Sequence, residues 1–317
     1  MGLVVLAGGV GGARFLRGLL RCRAAAEVTA IVNVGDDLDH LGLRICPDLD
    51  SITYWLGGVV HPEQQWGRAD ESHTVAGELA RFGHEAWFTL GDRDLATHLH
   101  RTARLRAGGT LSEVTAEVAA AFGVQVRLLP ATDDRVETRI TTVDGRDLHF
   151  QEYWVRERAR PAVASVRLEG ADRARPAPGV LEAIADAEVV LLAPSNPVVS
   201  IDTILAVHGI REAVLATPAP VVGVSPIVAG GVVRGMADRL LAAVGTEVSA
   251  LGVARHHGAL LDGWVLDRRD AGLADGVREL GLACAVTDTM MDEVDVAAAL
   301  AGTCLELADR IRGGRTP

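Results

Sequence analysis

The chain has no lysine, so all 31 of its Lys+Arg positions are arginine. A Walker-type phosphate lysine, a Schiff base and a pyridoxal site are therefore excluded. Any phosphate must be met by backbone N–H groups, arginine, hydroxyls or a metal. Aromatic residues make up only 4% of the 317 positions against 49% hydrophobic overall, so the core has to be mainly aliphatic. The four cysteines, Cys22, Cys46, Cys284 and Cys304, are scattered without CxxC spacing. This fits reduced thiols in a cytoplasmic protein and predicts no cysteine-held metal. No apolar run approaches the roughly 20 residues needed to span a bilayer. The opening MGLVVLAGGVGG also lacks the basic leader of a secretion signal. With a formal net charge of −11, the chain is expected to bind neither nucleic acid nor membrane.

What is present is an alternation of buried strands and amphipathic helices. Residues 1–7 form an apolar strand, GGVGG a tight turn, Ala13–Arg23 a helix and Glu27–Val34 a second strand. This β-turn-α-β opening predicts a Rossmann-like, doubly wound, mostly parallel α/β sheet. A polar stretch, GDDLDHLGLRICPDLD, precedes a helix at Ser51–Leu56. Helical patterns recur at Ser72–Phe82, Asp94–Ala107 and Leu111–Phe122. More extended patterns follow at Asp133–Arg139, Arg146–Tyr153 and Ala164–Leu168. We expect one domain over 1–317, with its core in 1–57 and 178–317. Residues 58–177 are expected to be an inserted helical cap ending in a small β arm, and ARPAPG at 174–179 leads back to the sheet. From there, strands at Val189–Ala193 and Val221–Ser225 alternate with helices at Gly179–Ala185, Ser200–Val207 and Gly235–Val244. The chain closes with a helix at Asp275–Leu280 and a final one from Val294.

Several residues in this framework carry chemistry. Gly8, Gly9, Gly11 and Gly12 lie between a strand and a helix, where backbone N–H groups and absent side chains admit a phosphate. A ligand-free tight turn is the plain alternative, and the order is not the GxGxxG of dinucleotide sites. Asp36, Asp37, Asp39, Asp48 and Asp50 crowd the segment after the second strand. Such carboxylates near a phosphate call for a cation, and Mg²⁺ suits them. Asp36 and Asp50 are the first choices, with Asp48 beside them, although Asp50 as the cap of a helix and Asp39 as a solvated group are equally ordinary. Asp92 and Arg93 read either as a helix cap with its ion partner or as contacts to a phosphate or ring. Ser195 and Asn196, in APSNPVVSI, suit hydrogen bonds to a base or ribose, or simple turn chemistry. Phe150, Tyr153 and Trp154 read as packing or dimer contacts before a stacking platform. His98, His149, His256 and His257 show no metal-ligand spacing and are expected to be structural or exposed.

Eight stretches in order along the chain resemble one family. They are GGVGGARFL at 8–16, NVGDD at 33–37, CPDLD at 46–50, LGDRDLATHL at 90–99, LLPATDD at 128–134, HFQEYWVR at 149–156, APSNPVVSI at 193–201 and SPIVAG at 225–230. The family is the 2-phospho-L-lactate transferases of coenzyme F420 biosynthesis, CofD in archaea and FbiA in actinobacteria, and RICPDLD, WGR and HFQEYW are most similar to the actinobacterial branch. The resemblance implies a Mg²⁺-dependent transfer of a phosphoenolpyruvyl or 2-phospholactyl group to the deazaflavin alcohol Fo. The donor would be enolpyruvyl- or lactyl-diphospho-guanosine, the leaving group GMP, and the enzyme a homodimer. It implies that Asp50 and Thr89 contact Fo and that Asp36 and Asp50 approach Mg²⁺. The glycine turn, Ser195 and Asn196 would hold the nucleotide, and Asp36 or Asp50 would act as general base. Thr89 departs from the lysine of some archaeal members, which limits its contact to hydroxyl or backbone. The rival reading is a non-catalytic regulator of the gluconeogenesis-factor type that binds a nucleotide sugar.

Overall fold

The computed structural model describes residues 2–85 and 87–314; Met1, expected to begin the first strand, lies outside them. β1 (Gly2–Ala7) runs into α1 (Gly9–Leu19), and β2 (Val28–Val32) returns beside β1. β3 (Leu38–His40) and β4 (Leu43–Ile45) form a short hairpin, followed by α2 (Pro47–Leu56), α3 (Thr74–Arg81), α4 (Asp92–Arg106) and α5 (Leu111–Ala121). β5 (Arg127–Pro130) precedes an antiparallel arm of β6 (Glu137–Thr142), β7 (Asp147–His149) and β8 (Val163–Glu169). The second half contains β9 (Ala187–Leu192), β10 (Val221–Val224), the ribbon β11 (Ile227–Val228) and β12 (Gly231–Val232), β13 (Gly263–Asp267) and β14 (Ala283–Thr287). It ends in the helix Val294–Gly314.

Seven strands make the central sheet in the order β14-β13-β10-β9-β1-β2-β5, and every neighbouring pair is parallel. This is the Rossmann-like α/β architecture expected from the alternation. β1, β2 and β9 are near-continuous Val, Leu, Ile and Ala because helices cover both faces of a parallel sheet. The chain first builds outward from β1 through β2 to β5, then crosses to β9 and builds the other way. The order therefore reverses between β1 and β9, and in open α/β sheets the crevice beyond the carboxyl ends at such a point is where ligands bind.

The structure departs from the sequence pattern in four places. α1 starts at Gly9, so the glycine turn is the first turn of the helix itself. α2 starts at Pro47, whose fixed φ suits a first helical position, and not at Ser51. Within residues 58–177, Arg127–Pro130 pairs with β2, so the segment expected as cap and arm also supplies an edge strand of the main sheet. The HFQEYWVR stretch is extended only to His149 and then winds into a π-helical turn over Glu152–Arg156.

α1 and the helix Val294–Gly314 cover one side of the sheet and cross closely. A Cβ on Gly18 would lie 2.3 Å from the carbonyl carbon of Ala297, whereas one on Gly302 would meet nothing within 4 Å. Overpacking a helix crossing costs about 1–3 kcal/mol, and replacing an unhindered helical glycine by alanine gains about 0.5–1 kcal/mol. Urea unfolding of Gly18→Ala should show a loss in the first range, and Gly302→Ala a gain in the second.

Candidate active site

The exits of β1 and β9 meet at the switch point. The Gly8 N–H donates to Ser195 Oγ at 2.9 Å, and the Ser195 hydroxyl donates back to the Gly8 carbonyl at 2.8 Å. A Cβ on Gly11 would fall 2.5 Å from the Pro194 carbonyl oxygen, and one on Gly8 would fall 2.5 Å from Asp48 Oδ2 and 2.7 Å from Ser200 Cβ. Gly9 has φ +61°, a left-handed backbone that glycine adopts without cost. The glycines are thus required by what packs against the turn as well as by any phosphate. Ser195 and Asn196, expected to hold the nucleotide, line the cavity and also serve the fold. Both hydrogen bonds of Ser195 stay inside the protein, and Asn196 Oδ1 accepts from the N–H groups of Val198 and Val199 at the head of a π-helical turn.

Beyond the strand ends lies a cavity of about 530 Å³ whose wall includes Gly8, Gly9, Asp36, Asp48, Ser195 and Asn196. Asp50 and Thr89 also face it, but Asp92 and Arg93 do not. Asp92 accepts from Ser72 Oγ and from the N–H groups of Thr74 and Val75, which caps α3. Glu71 in turn accepts from the N–H groups of Arg93 and Asp94, and the Arg93 side chain reaches exposed Asp70 at 3.8 Å. This pair therefore caps and braces the two helix starts, and the ligand-contact reading of Asp92 and Arg93 is not borne by the geometry.

Asp48 and Asp50 sit two residues apart in the first turn of α2, about 200° around the helix, so they face different neighbours. Asp50 turns to α4, where Arg101 Nη1 donates to Oδ2 at 3.1 Å, Arg101 Nη2 donates to Oδ1, and His98 Nδ1 stands 3.7 Å from Oδ2. Arg101 is 3% exposed, so Asp50 is matched by a fully buried cation. Asp48 turns to the glycine turn and accepts from Asn33 Nδ2 at 2.9 Å. Burial pushes its carboxyl from the usual 3.8 up to about 7. Asp36 is raised well above its usual value, first by burial and then by the charge of Asp48, and its Oδ1 has no hydrogen-bond partner among the described residues. The carboxylates that face the glycine turn without a matching cation are therefore Asp36 and Asp48, and not the Asp36 and Asp50 preferred from sequence. Hard oxygen donors, one of them orphaned, beside a phosphate-type turn fit a Mg²⁺ ion.

From α4, Asp94 and His98 line the cavity and Arg101 stands behind them; of the three, His98 was expected to be structural or exposed and is buried. Asp94, His98 and Arg101 follow the i, i+4, i+7 spacing of one helix face, a signal that could have found them. Tyr54 donates to Asp94 Oδ1 at 2.6 Å, and His98 Nε2 lies 3.3 Å from Asp94 Oδ2. Burial works against a charged Asp94, yet His98, Tyr54 and Arg101 together hold its carboxyl below the usual value. Arg14 and Arg234 are the arginines on the cavity wall. Burial lowers Arg234, and the charge of Arg14 lowers it further, a pairing that an anion between them would relieve. Arg234 also donates to Gln65 Oε1 and to the Gln64 carbonyl, both at 2.7 Å, tying the loop after β12 to the loop after α2.

The cavity wall also carries apolar side chains, with Trp66, Phe88, Phe150, Trp154 and Met236 among them. The arm is placed by His149, whose Nδ1 accepts from Gln151 N–H and whose Nε2 therefore donates to the Asp37 carbonyl at 3.1 Å. Tyr153 is fully buried, as its packing reading required, whereas Trp154 faces the cavity.

A carboxyl raised by burial binds more protons in the folded than in the unfolded chain between its two pKa values. The stability contributed by Asp48 is thus greatest below about pH 4 and is lost as pH rises through about 7. In chelator-treated protein, Asp48→Asn should add about 1–2 kcal/mol to the unfolding free energy near pH 8 and much less near pH 5, measured by urea titration at both.

The family profile described as 2-phospho-L-lactate transferase CofD matches residues 3–297. A phosphoenolpyruvate transferase of Streptomyces griseus is 53% identical over 317 residues, spanning 98% of this chain and 100% of that protein. The one from Kitasatospora aureofaciens is 54% identical over 320 residues, spanning 99% and 100%. The one from Thermobifida fusca is 50% identical over 321 residues, spanning 97% and 98%. Among solved structures, protein BH3568 from Bacillus halodurans superposes with a TM-score of 0.62 at 20% identity, covering 96% of this chain and 99% of that one, which speaks to the fold alone. On the profile match and these identities, the chain belongs to the CofD family of 2-phospho-L-lactate transferases.

Proposed function

We propose that the protein transfers the phosphoenolpyruvyl group of enolpyruvyl-diphospho-guanosine to the deazaflavin Fo, releasing GMP, in the biosynthesis of coenzyme F420. The observation that carries this reading is one cavity with two unlike kinds of lining. A glycine turn with two unmatched carboxylates and two mutually repelling arginines supplies the one, and aromatic side chains the other. The first suits a diphosphate with its cation and the second a flat tricyclic ring. The names of the relatives favour the phosphoenolpyruvyl group over the 2-phospholactyl group.

In this reading the turn N–H groups and the positive end of α1 receive the diphosphate, with Arg14 and Arg234 on its flanks. Asp36 and Asp48 are the residues that would hold Mg²⁺, which would neutralise charge on the diphosphate as GMP departs. Trp66, Phe88 and Trp154 hold the deazaflavin ring. The terminal ribityl oxygen of Fo forms a bond to the phosphorus that carries the acid, and the phosphorus–oxygen bond to GMP breaks. The hydroxyl proton passes to the oxygen of Asp36 that has no hydrogen-bond partner among the described residues. Asp50, with both oxygens engaged by Arg101, fixes α2 against α4 and so orients Asp48. Catalysis of this kind is mostly alignment and charge neutralisation.

Incubation with Fo, Mg²⁺ and each guanosine-activated acid, followed by mass spectrometry, should give one phosphoester adduct of Fo per GMP, fastest with the enolpyruvyl donor. Asp48→Ala should slow transfer by about 100-fold or more. A folded protein that yields no adduct from any donor, yet binds a nucleotide sugar, would instead be the regulator.

A further inference from the structure

Away from the cleft, three side chains that the sequence treats as unrelated come together. Asp202 opens the helix Asp202–Ala206, directly after the π-helical turn that carries Val199 and Ser200 to the cavity wall. His256 and His257 end the helix Ala250–His257. One ligand atom from each of the three lies within 4.8 Å of the other two.

The local contacts are those of a built donor set. His256 Nε2 is 2.6 Å from Asp202 Oδ2, and the other ring nitrogen of His256 faces Thr246 Oγ1 at 3.1 Å, which fixes the orientation of the imidazole. His257 is 5% exposed, and its Nδ1 is buried with no hydrogen-bond partner among the described residues. The nearby cation, Arg211, reaches Asp202 Oδ1 only at 4.0 Å and is 43% exposed, so it is free to turn to water.

We propose that Asp202, His256 and His257 form a second metal site, for a zinc-class divalent cation, separate from the carboxylates of the cleft. Two imidazoles and a carboxylate leaving a fourth position for water make a donor set that zinc accepts and magnesium does not favour. Tetrahedral zinc with bonds of about 2.0–2.1 Å holds its ligand atoms roughly 3.3 Å apart. A group already within 4.8 Å reaches that spacing by side-chain rotation. A metal here pins the start of the Asp202 helix to the Ala250–His257 helix and steadies the π-helical turn behind the cavity wall. Its role is structural.

The test uses the full chain carrying Asp36→Asn and Asp48→Asn, so that the cleft carboxylates do not contribute. After chelator treatment, titration with Zn²⁺ should give one equivalent bound per chain and a rise in melting temperature. Co²⁺ in its place should give the visible absorption of a four-coordinate site with nitrogen ligands. Adding Asp202→Asn or His256→Gln should weaken Zn²⁺ binding by more than about tenfold and abolish the Co²⁺ spectrum. Absence of Zn²⁺ uptake by the parent chain, or equal uptake after both changes, would overturn the proposal. Should the added changes impair folding, the Co²⁺ spectrum of the parent chain decides alone.

Discussion

The close approach of the β1 exit to its neighbours is the constraint on which the cavity depends. Gly8 and Gly11 let the turn touch Asp48, Ser200 and Pro194 at distances no Cβ would allow, and Ser195 locks the β1 and β9 exits together through two hydrogen bonds. The absence of lysine makes this geometry more consequential. With no ammonium group to grip phosphate, the turn's backbone and two arginines are what the cavity wall can offer. The glycine turn therefore serves sterically as a junction and, in the proposed function, electrostatically as the receiver of the diphosphate.

A second feature follows from helix geometry. α2 delivers Asp48 and Asp50 from one turn to opposite neighbours, and the protein treats them differently. Asp50 is matched by buried Arg101 and becomes a strut between α2 and α4. Asp48, steadied by Asn33, is left beside Asp36 with no matching cation, which is costly in the absence of a ligand. Such uncompensated burial is common where a site is shaped for something it binds, and the orphaned oxygen of Asp36 is its clearest sign.

Much of this was legible in the sequence because strand–turn–helix signals are local. The alternation gave the parallel sheet, the glycine run the turn, and the acidic stretch the charged wall. What was not legible depended on distance in space. The sequence pattern could not tell that Asp92 would cap α3 through Thr74 and Val75, or that Asp50 would meet Arg101, because both partners come from other elements. The π-helical turns at Glu152–Arg156 and Pro197–Ile201 have no simple periodicity, so the stretch after His149 was expected to continue as a strand. Arg127–Pro130 is too short and too close to the cap helices to announce itself as an edge of the central sheet. The meeting of Asp202 with His256 and His257 likewise arises only when the helices Asp202–Ala206 and Ala250–His257, far apart in sequence, are packed together.

At the centre of the proposed function is a cation that Asp36 and Asp48 would hold, in competition with protons. Calorimetric titration of chelator-treated protein with Mg²⁺ in the presence of GDP, repeated between about pH 8 and about pH 5.5, tests it most directly. Because burial raises Asp48 to about 7 and Asp36 well above its usual value, protons compete more strongly as pH falls through that range. Affinity should therefore drop by more than about tenfold toward the acid end and be lost in Asp36→Asn with Asp48→Asn. A flat pH profile, or Mg²⁺ binding that survives both substitutions, would contradict the account.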